Sequence, residues 1–219
     1  MDRPVILPDE KAKKAVKLLE KEYPGTKYYL DFNTPIDLLV AAILSAQTRD
    51  TVVNAVTPEL FKKYKTAKDY ADASEMSLLK SIDRVTFAEN KAKNIIKACT
   101  IISEKYSGVV PDKMDALLAL PGVGRKTANT ILINAYGIVE GIPVDTWVIK
   151  LSYRIGLSAE KNPDDIEKDL ERIVDKDSWK NIAYVMKAHG HKICKSIVPL
   201  CSGCVIKDIC PRNGVKKSG

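Results

Sequence analysis

The sequence predicts an all-α fold, and three observations carry that prediction. Apolar residues recur at helical spacing along most of the chain, strand-like alternation is sustained nowhere, and cap-and-stop residues divide the chain into helix-length pieces.

Between Lys11 and Glu22 the residues Ala12, Ala15, Val16, Leu18 and Leu19 fall on one side of a helix, which Tyr23-Pro24-Gly25 stops. Asn33-Thr34-Pro35 then supplies a cap with proline in the first turn and opens a strongly apolar helix through Leu44. Thr57-Pro58 repeats that device before a helix from Glu59 to Tyr64. Ser74-Glu75 begins a short helix to Ile82, and Lys91 to Tyr106 reads as a longer amphipathic one, with Cys99 in its apolar core stripe. Asp112 to Leu120 follows, then a Pro-Gly-Val-Gly hairpin, then a helix from Lys126 to Tyr136. The chain restarts at Asp145, and Gly141-Ile142-Pro143 marks the expected domain crossing. Asn162-Pro163 caps a helix through Val174, Lys176 to Ala188 is another, and the tail carries four of the five cysteines.

Composition bounds the function. A length of 219 residues suffices for one large domain or two small ones, and 45% hydrophobic with 29% charged residues excludes a disordered chain. The longest apolar run, Leu38 to Leu44, is too short to span a bilayer. The N-terminal residues show no signal-peptide stretch. A cytoplasmic, nucleoid-associated protein with no membrane partner is therefore expected, nuclear if the source is a eukaryote. The formal net charge of +7 attracts a polyanion, although solvated lysines alone give the same sum.

Cys194, Cys201, Cys204 and Cys210 have the spacing C-x6-C-x2-C-x5-C. Disulfides are disfavoured in a chain without an export signal, so the convergence of four thiols points to a metal centre. Both zinc and an iron–sulfur cluster accept four thiolates. The spacing differs from the paired C-x2-C units of a zinc ribbon, and equally from the C-x2-C-x2-C-x3-C-P run of a ferredoxin.

The hairpin Leu120-Pro-Gly-Val-Gly-Arg-Lys126 is the second concentration of signal. A phosphate-binding P-loop wants glycine before the lysine and a strand upstream, whereas here Arg125 precedes Lys126 and the upstream segment is helical. A helix–hairpin–helix remains. Gly122 and Gly124 permit a tight turn and close backbone approach, and amides of Gly122, Val123, Gly124 and Arg125 at a positive helix end suit a DNA phosphate. An ordinary turn between packed helices uses the same residues. Lys126 lies in the first helical turn, where the dipole disfavours an ammonium. Asp145, read alone, is an N-cap.

Leu120-Pro-Gly-Val-Gly-Arg-Lys-Thr-Ala-Asn129 with Pro143-Val-Asp-Thr146 resembles the central signature of the endonuclease III family. The cysteine spacing resembles that family's [4Fe–4S] loop, and similarity runs from about Thr34 to Cys210. The resemblance implies two helical lobes: residues 29–141, carrying the helix–hairpin–helix, and residues 1–28 with 142–219, carrying an iron–sulfur loop. It further implies a monomeric DNA glycosylase that also cleaves the strand at abasic sites, acting on duplex DNA with oxidised or saturated pyrimidines. Lys126 would be the nucleophile and Asp145 its partner, stabilising positive charge on the sugar. Cys194, Cys201, Cys204 and Cys210 would hold the cluster. Gln47, the single glutamine of the chain, matches the residue that fills the void left by an extruded nucleotide. Phe87, in Val85-Thr86-Phe87-Ala88 ahead of Lys91-Ala92, is the candidate wedge, with a core phenylalanine as the alternative.

Two departures stand out. Trp147 occupies a position that is often histidine in the family, and the wedge segment lacks the usual glycine and tyrosine. His189-Gly190 also matches a family pattern, though helix-end capping accounts for it. Other expectations remain: a glycosylase that removes only mismatched bases or uracil, and a non-catalytic iron–sulfur DNA-binding protein. Lys126 weighs against the first, and Lys126 with Asp145 against the second.

Overall fold

A computed structural model describes residues 3–219. Helices account for all of its regular structure, and no strand occurs among the described residues. In chain order they are α1 (Asp9–Glu22), α2 (Pro35–Ser45), α3 (Asp50–Lys63), α4 (Ala67–Ala71), α5 (Glu75–Ser81), α6 (Ala88–Lys105), α7 (Met114–Leu118), α8 (Arg125–Ile131), α9 (Thr146–Ile155), α10 (Pro163–Ile173) and α11 (Trp179–Lys192). The chain divides into two compact units, Tyr29–Ile138 and Met1–Tyr28 with Val139–Gly219. Gly141-Ile142-Pro143 thus falls just inside the second of these.

The unit Tyr29–Ile138 is built around α2. Thr34 caps it by accepting from the Asp37 amide, and the Asp37 carboxylate accepts from the Thr34 amide in return. Every residue from Ile36 to Leu44 is buried, as a helix apolar on all sides requires. Helices α3, α6 and α8 pack directly on it. Two expectations need correction here, and one helix was not foreseen. Thr57-Pro58 does not open a helix, because α3 runs through Pro58. The proline removes only the bond to the Asn54 carbonyl, and buried Val53, Val56 and Leu60 hold both halves of the stripe in place. A helix at Ala67–Ala71, capped by the reciprocal Thr66–Asp69 pair, went unforeseen because five residues carry too little periodicity. The helix expected from Lys126 to Tyr136 changes character at Leu132, continuing as π-helix to Tyr136. There Thr130 Oγ1 donates to the Lys126 carbonyl and Asn134 Nδ2 to the Thr130 carbonyl, so side chains compete for backbone acceptors.

In the other unit α9 and α1 pack on α11, and α10 packs on α1 and α9. Asp145 caps α9 and Asn162 caps α10. The tail is fastened by Asn213, whose amide side chain donates to the carbonyls of Val5 and Tyr153 and accepts from the Val5 amide. Gly190 lies against the Trp147 ring, where a Cβ would meet Cε3 at 2.2 Å. That ring is flanked by His191, 4.7 Å between centroids.

Candidate active site and cysteine centre

The hairpin is a β-turn in which the Val123 amide donates to the Leu120 carbonyl, with Pro121 and Gly122 central. Gly122 has φ +83°, the conformation that turn demands at its third position, and a Cβ there would crowd Asn94 of α6. Gly124 is the N-cap of α8. The first amides of α8 have no carbonyl one turn back within the helix, the feature that suits a helix N-terminus to an anion. Gly122, Gly124 and Arg125 are exposed, whereas the Val123 side chain is buried, which leaves only its backbone for a ligand.

Lys126, the second residue of α8, is half-buried. Its Nζ donates to the Tyr29 hydroxyl at 3.3 Å and lies 5.9 Å from the centre of that ring. Asn54 holds Tyr29 in turn: Nδ2 donates to the Tyr29 carbonyl at 3.0 Å, and Oδ1 accepts from the Asp31 amide. Tyr29 and Asn54 escaped the sequence reading because nothing local marks a partner 97 residues from Lys126.

Gln47 is exposed between α2 and α3 with φ +54°. Phe87 is the N-cap of α6, left-handed at φ +57°, and 59% exposed. The core alternative for Phe87 is therefore wrong. Between these two segments lies a residue the sequence offered only as a landmark. Lys91 is 6% exposed, and its ammonium donates to the Leu44 carbonyl at 2.7 Å, the Ala46 carbonyl at 2.5 Å and Thr48 Oγ1 at 3.0 Å.

In the other unit, Asp145 Oδ1 accepts from the Trp147 amide at 2.8 Å and the Val148 amide at 2.9 Å. These bonds fix the side chain at the positive end of α9. Cys194, Cys201, Cys204 and Cys210 line one cavity with Arg154, His189 and Ile206. Among the described residues no three His, Cys, Asp or Glu side chains converge closely enough to hold a single metal ion. Arg154 Nη1 donates to the Cys194 carbonyl at 3.2 Å and lies 3.6 Å from its sulfur. His189 lies in the last turn of α11, as expected of a residue near a helix end, but its side chain does not cap that end. It is buried, with Nδ1 3.0 Å from the Tyr23 hydroxyl and Nε2 3.6 Å from Cys204 Sγ. Burial pushes the Cys194, Cys204 and Cys210 thiols up, that of Cys210 to about 11. Cys99, wholly buried in α6, is pushed to about 12 and belongs to the core.

A helix–hairpin–helix followed by a capping aspartate defines a class of DNA-repair proteins, and residues 40–176 match the HhH-GPD superfamily of base excision DNA repair proteins. Endonuclease III of Synechocystis sp. is 43% identical over 92% of this chain and 92% of its own length. That of Escherichia coli K12 is 35% identical over 88% and 90%. A solved structure of a trapped endonuclease III–DNA covalent intermediate superposes with a TM-score of 0.90 at 36% identity, covering 94% of this chain and 97% of the other. The chain belongs to the endonuclease III family. No helix among the described residues is long and apolar enough to cross a membrane.

Proposed function

We propose that this chain is a bifunctional DNA glycosylase and abasic-site lyase of base excision repair that removes oxidised or saturated pyrimidines through an imine at Lys126. The carrying observation is Lys126 itself, half-buried in the first turn of the hairpin's second helix and held by Tyr29. The trapped covalent complex formed by a relative at 36% identity is consistent with this chemistry.

The neutral amine of Lys126 attacks C1′ of the damaged nucleotide, and the bond from C1′ to the base breaks, the base leaving with the electron pair and gaining a proton. The sugar ring opens as C1′ becomes an imine carbon and O4′ takes a proton. Loss of a C2′ proton then expels the 3′ phosphate, and water returns the free lysine. Asp145 stabilises positive charge developing on the sugar and assists proton transfer. The hairpin amides from Gly122 to Arg125 hold a backbone phosphate. Gln47 fills the void left by the extruded nucleotide, and Phe87, solvent-facing and apolar, enters the stack beside it. The enzyme works as a cytoplasmic monomer on duplex DNA.

The four thiols fit a [4Fe–4S] cluster. They line one cavity, where the Arg154 guanidinium, 3.6 Å from the Cys194 sulfur, would offset thiolate charge, and the neutral His189 ring sets Nε2 3.6 Å from Cys204 Sγ. When bound, such a cluster cross-links residues 194–210 and keeps the buried sulfurs deprotonated.

Borohydride trapping tests this reading. Lesion-containing duplex should yield a covalent complex, and Lys126→Gln should abolish both trapping and strand cleavage while DNA binding persists. Asp145→Asn keeps a competent N-cap, so it should slow base release with the fold intact. A wild-type protein that releases bases yet never traps would make this a base-only glycosylase.

A further inference from the structure

We infer that Lys91 is a positioning residue for nucleotide extrusion: its buried ammonium clamps the Gln47 loop to the helix that begins at Phe87. The inference rests on the proposed roles of Gln47 and Phe87, but its geometry is independent of them. An ammonium has three hydrogens, and here each meets an acceptor. All three acceptors belong to the end of α2 and the loop that follows it.

The arrangement answers a local need. Helix α2 carries no basic residue in its last turn, so its final carbonyls lack a cation of their own. Lys91 supplies one from another helix. Just beyond, Gln47 is held in the left-handed region, which a residue with a Cβ enters at a cost of roughly 1 kcal/mol or more. A clamp on Ala46 and Thr48 grips both its neighbours. On α6 the Lys91 amide donates to the Phe87 carbonyl, so one residue touches both strand-reading segments. Burial pushes the ammonium down to about 8, while the three acceptors oppose that by favouring the charged form. A buried lysine ammonium with all three hydrogens spent on one helix end and its loop points to a job beyond packing.

The test compares a lesion in a fully paired duplex with the same lesion in a bulge, where no stack need be opened. Lys91→Met removes the ammonium at nearly constant volume, and Thr48→Val removes one of the three bonds with little risk to folding. Lys91→Met should lose on the order of ten- to a hundred-fold in single-turnover rate on the paired lesion. On the bulged lesion it should lose little, and Thr48→Val should show a smaller loss of the same kind. In a Gln47→Ala background, Lys91→Met should add no further loss specific to the paired substrate. Equal losses on both substrates, for Thr48→Val as well, would make the clamp merely structural and overturn the inference. So would a Lys91→Met enzyme as selective as wild type while Gln47→Ala is impaired on paired DNA. If Gln47→Ala itself shows no paired-specific loss, the assignment of Gln47 falls and the inference with it.

Discussion

In the unit Tyr29–Ile138, the residues expected to meet DNA hang from short connections between helices packed on α2, buried from Ile36 to Leu44, and Lys91 pins one of those connections. In the unit formed by residues 1–28 and 139–219, the four thiols sit on a tail whose only regular element beyond α11 is the three-residue turn Cys201–Gly203. Apolar burial there is thin, with Ile206 and Val215 beside the cavity and Asn213 holding backbone to backbone. Packing on α2 together with the Lys91 clamp fixes the first kind of site without any ligand. The second should depend on the proposed cluster, because unligated thiols pushed up by burial contribute neither charge pairing nor cross-links.

Removing iron should expose that contrast most strongly. After oxidative release of the proposed cluster, amide exchange across residues 194–213 should accelerate to near the unprotected rate, while amides of α2, α3 and α6 keep their protection. Hydrogen exchange read by mass spectrometry checks this. Unchanged protection at residues 194–213 would mean that backbone bonds such as Leu200 to Ile193 and Asn213 to Arg154 hold the tail unaided.

A second test concerns packing within the cysteine-bearing unit. Gly190→Ala drives a methyl into the Trp147 ring, an overpacking that costs about 1–3 kcal/mol, partly offset by the roughly 1 kcal/mol helix preference for alanine. Urea denaturation should show a net loss. In a Trp147→Ala background the sign should reverse, since the ring is gone and only the propensity remains. A loss of equal size in both backgrounds would show that the contact with Trp147 is not what requires glycine. The pairing also gives physical content to the family departure at Trp147: an indole fits there because the facing residue of α11 has no side chain.

Much of this was legible because it is local. The α2 cap, the Pro-Gly turn and the aspartate cap of α9 are each written within four residues, and local chemistry decides them. The thiol spacing is equally local, and the four thiols do gather around one cavity. Lys91 was illegible for the opposite reason, since its acceptors lie 43 to 47 residues away and a lysine in an amphipathic helix normally faces water. His189 does lie in the last turn of α11, but capping did not account for its side chain, because the pair that holds it, Tyr23 and Cys204, comes from distant stretches. Pro58 misled because buried stripe residues outweighed a single lost backbone bond.

The smallest expected effect lies at the head of α2. Thr34→Ala removes the hydroxyl that accepts from the Asp37 amide, yet Asp37 still accepts from the backbone amide of residue 34, so half of the reciprocal box survives. The loss should be about 1 kcal/mol, the usual size for an N-cap threonine. Because α2 is buried from Ile36 to Leu44, it cannot fray alone without exposing Ile36, Leu38 and Leu39. The destabilisation should therefore be shared: exchange of the slowest amides in α2, α3 and α6 should rise together, by roughly five-fold for 1 kcal/mol. Asn162→Ala offers the contrast, since the cap of α10 accepts only from the Asp164 amide and has no reciprocal partner among the described bonds. Its loss should be at least as large and should appear first in α10. Acceleration confined to the first turn of α2 after Thr34→Ala would show that its N-terminus opens independently, and α2 would not be the rigid centre on which the Gln47 loop is anchored.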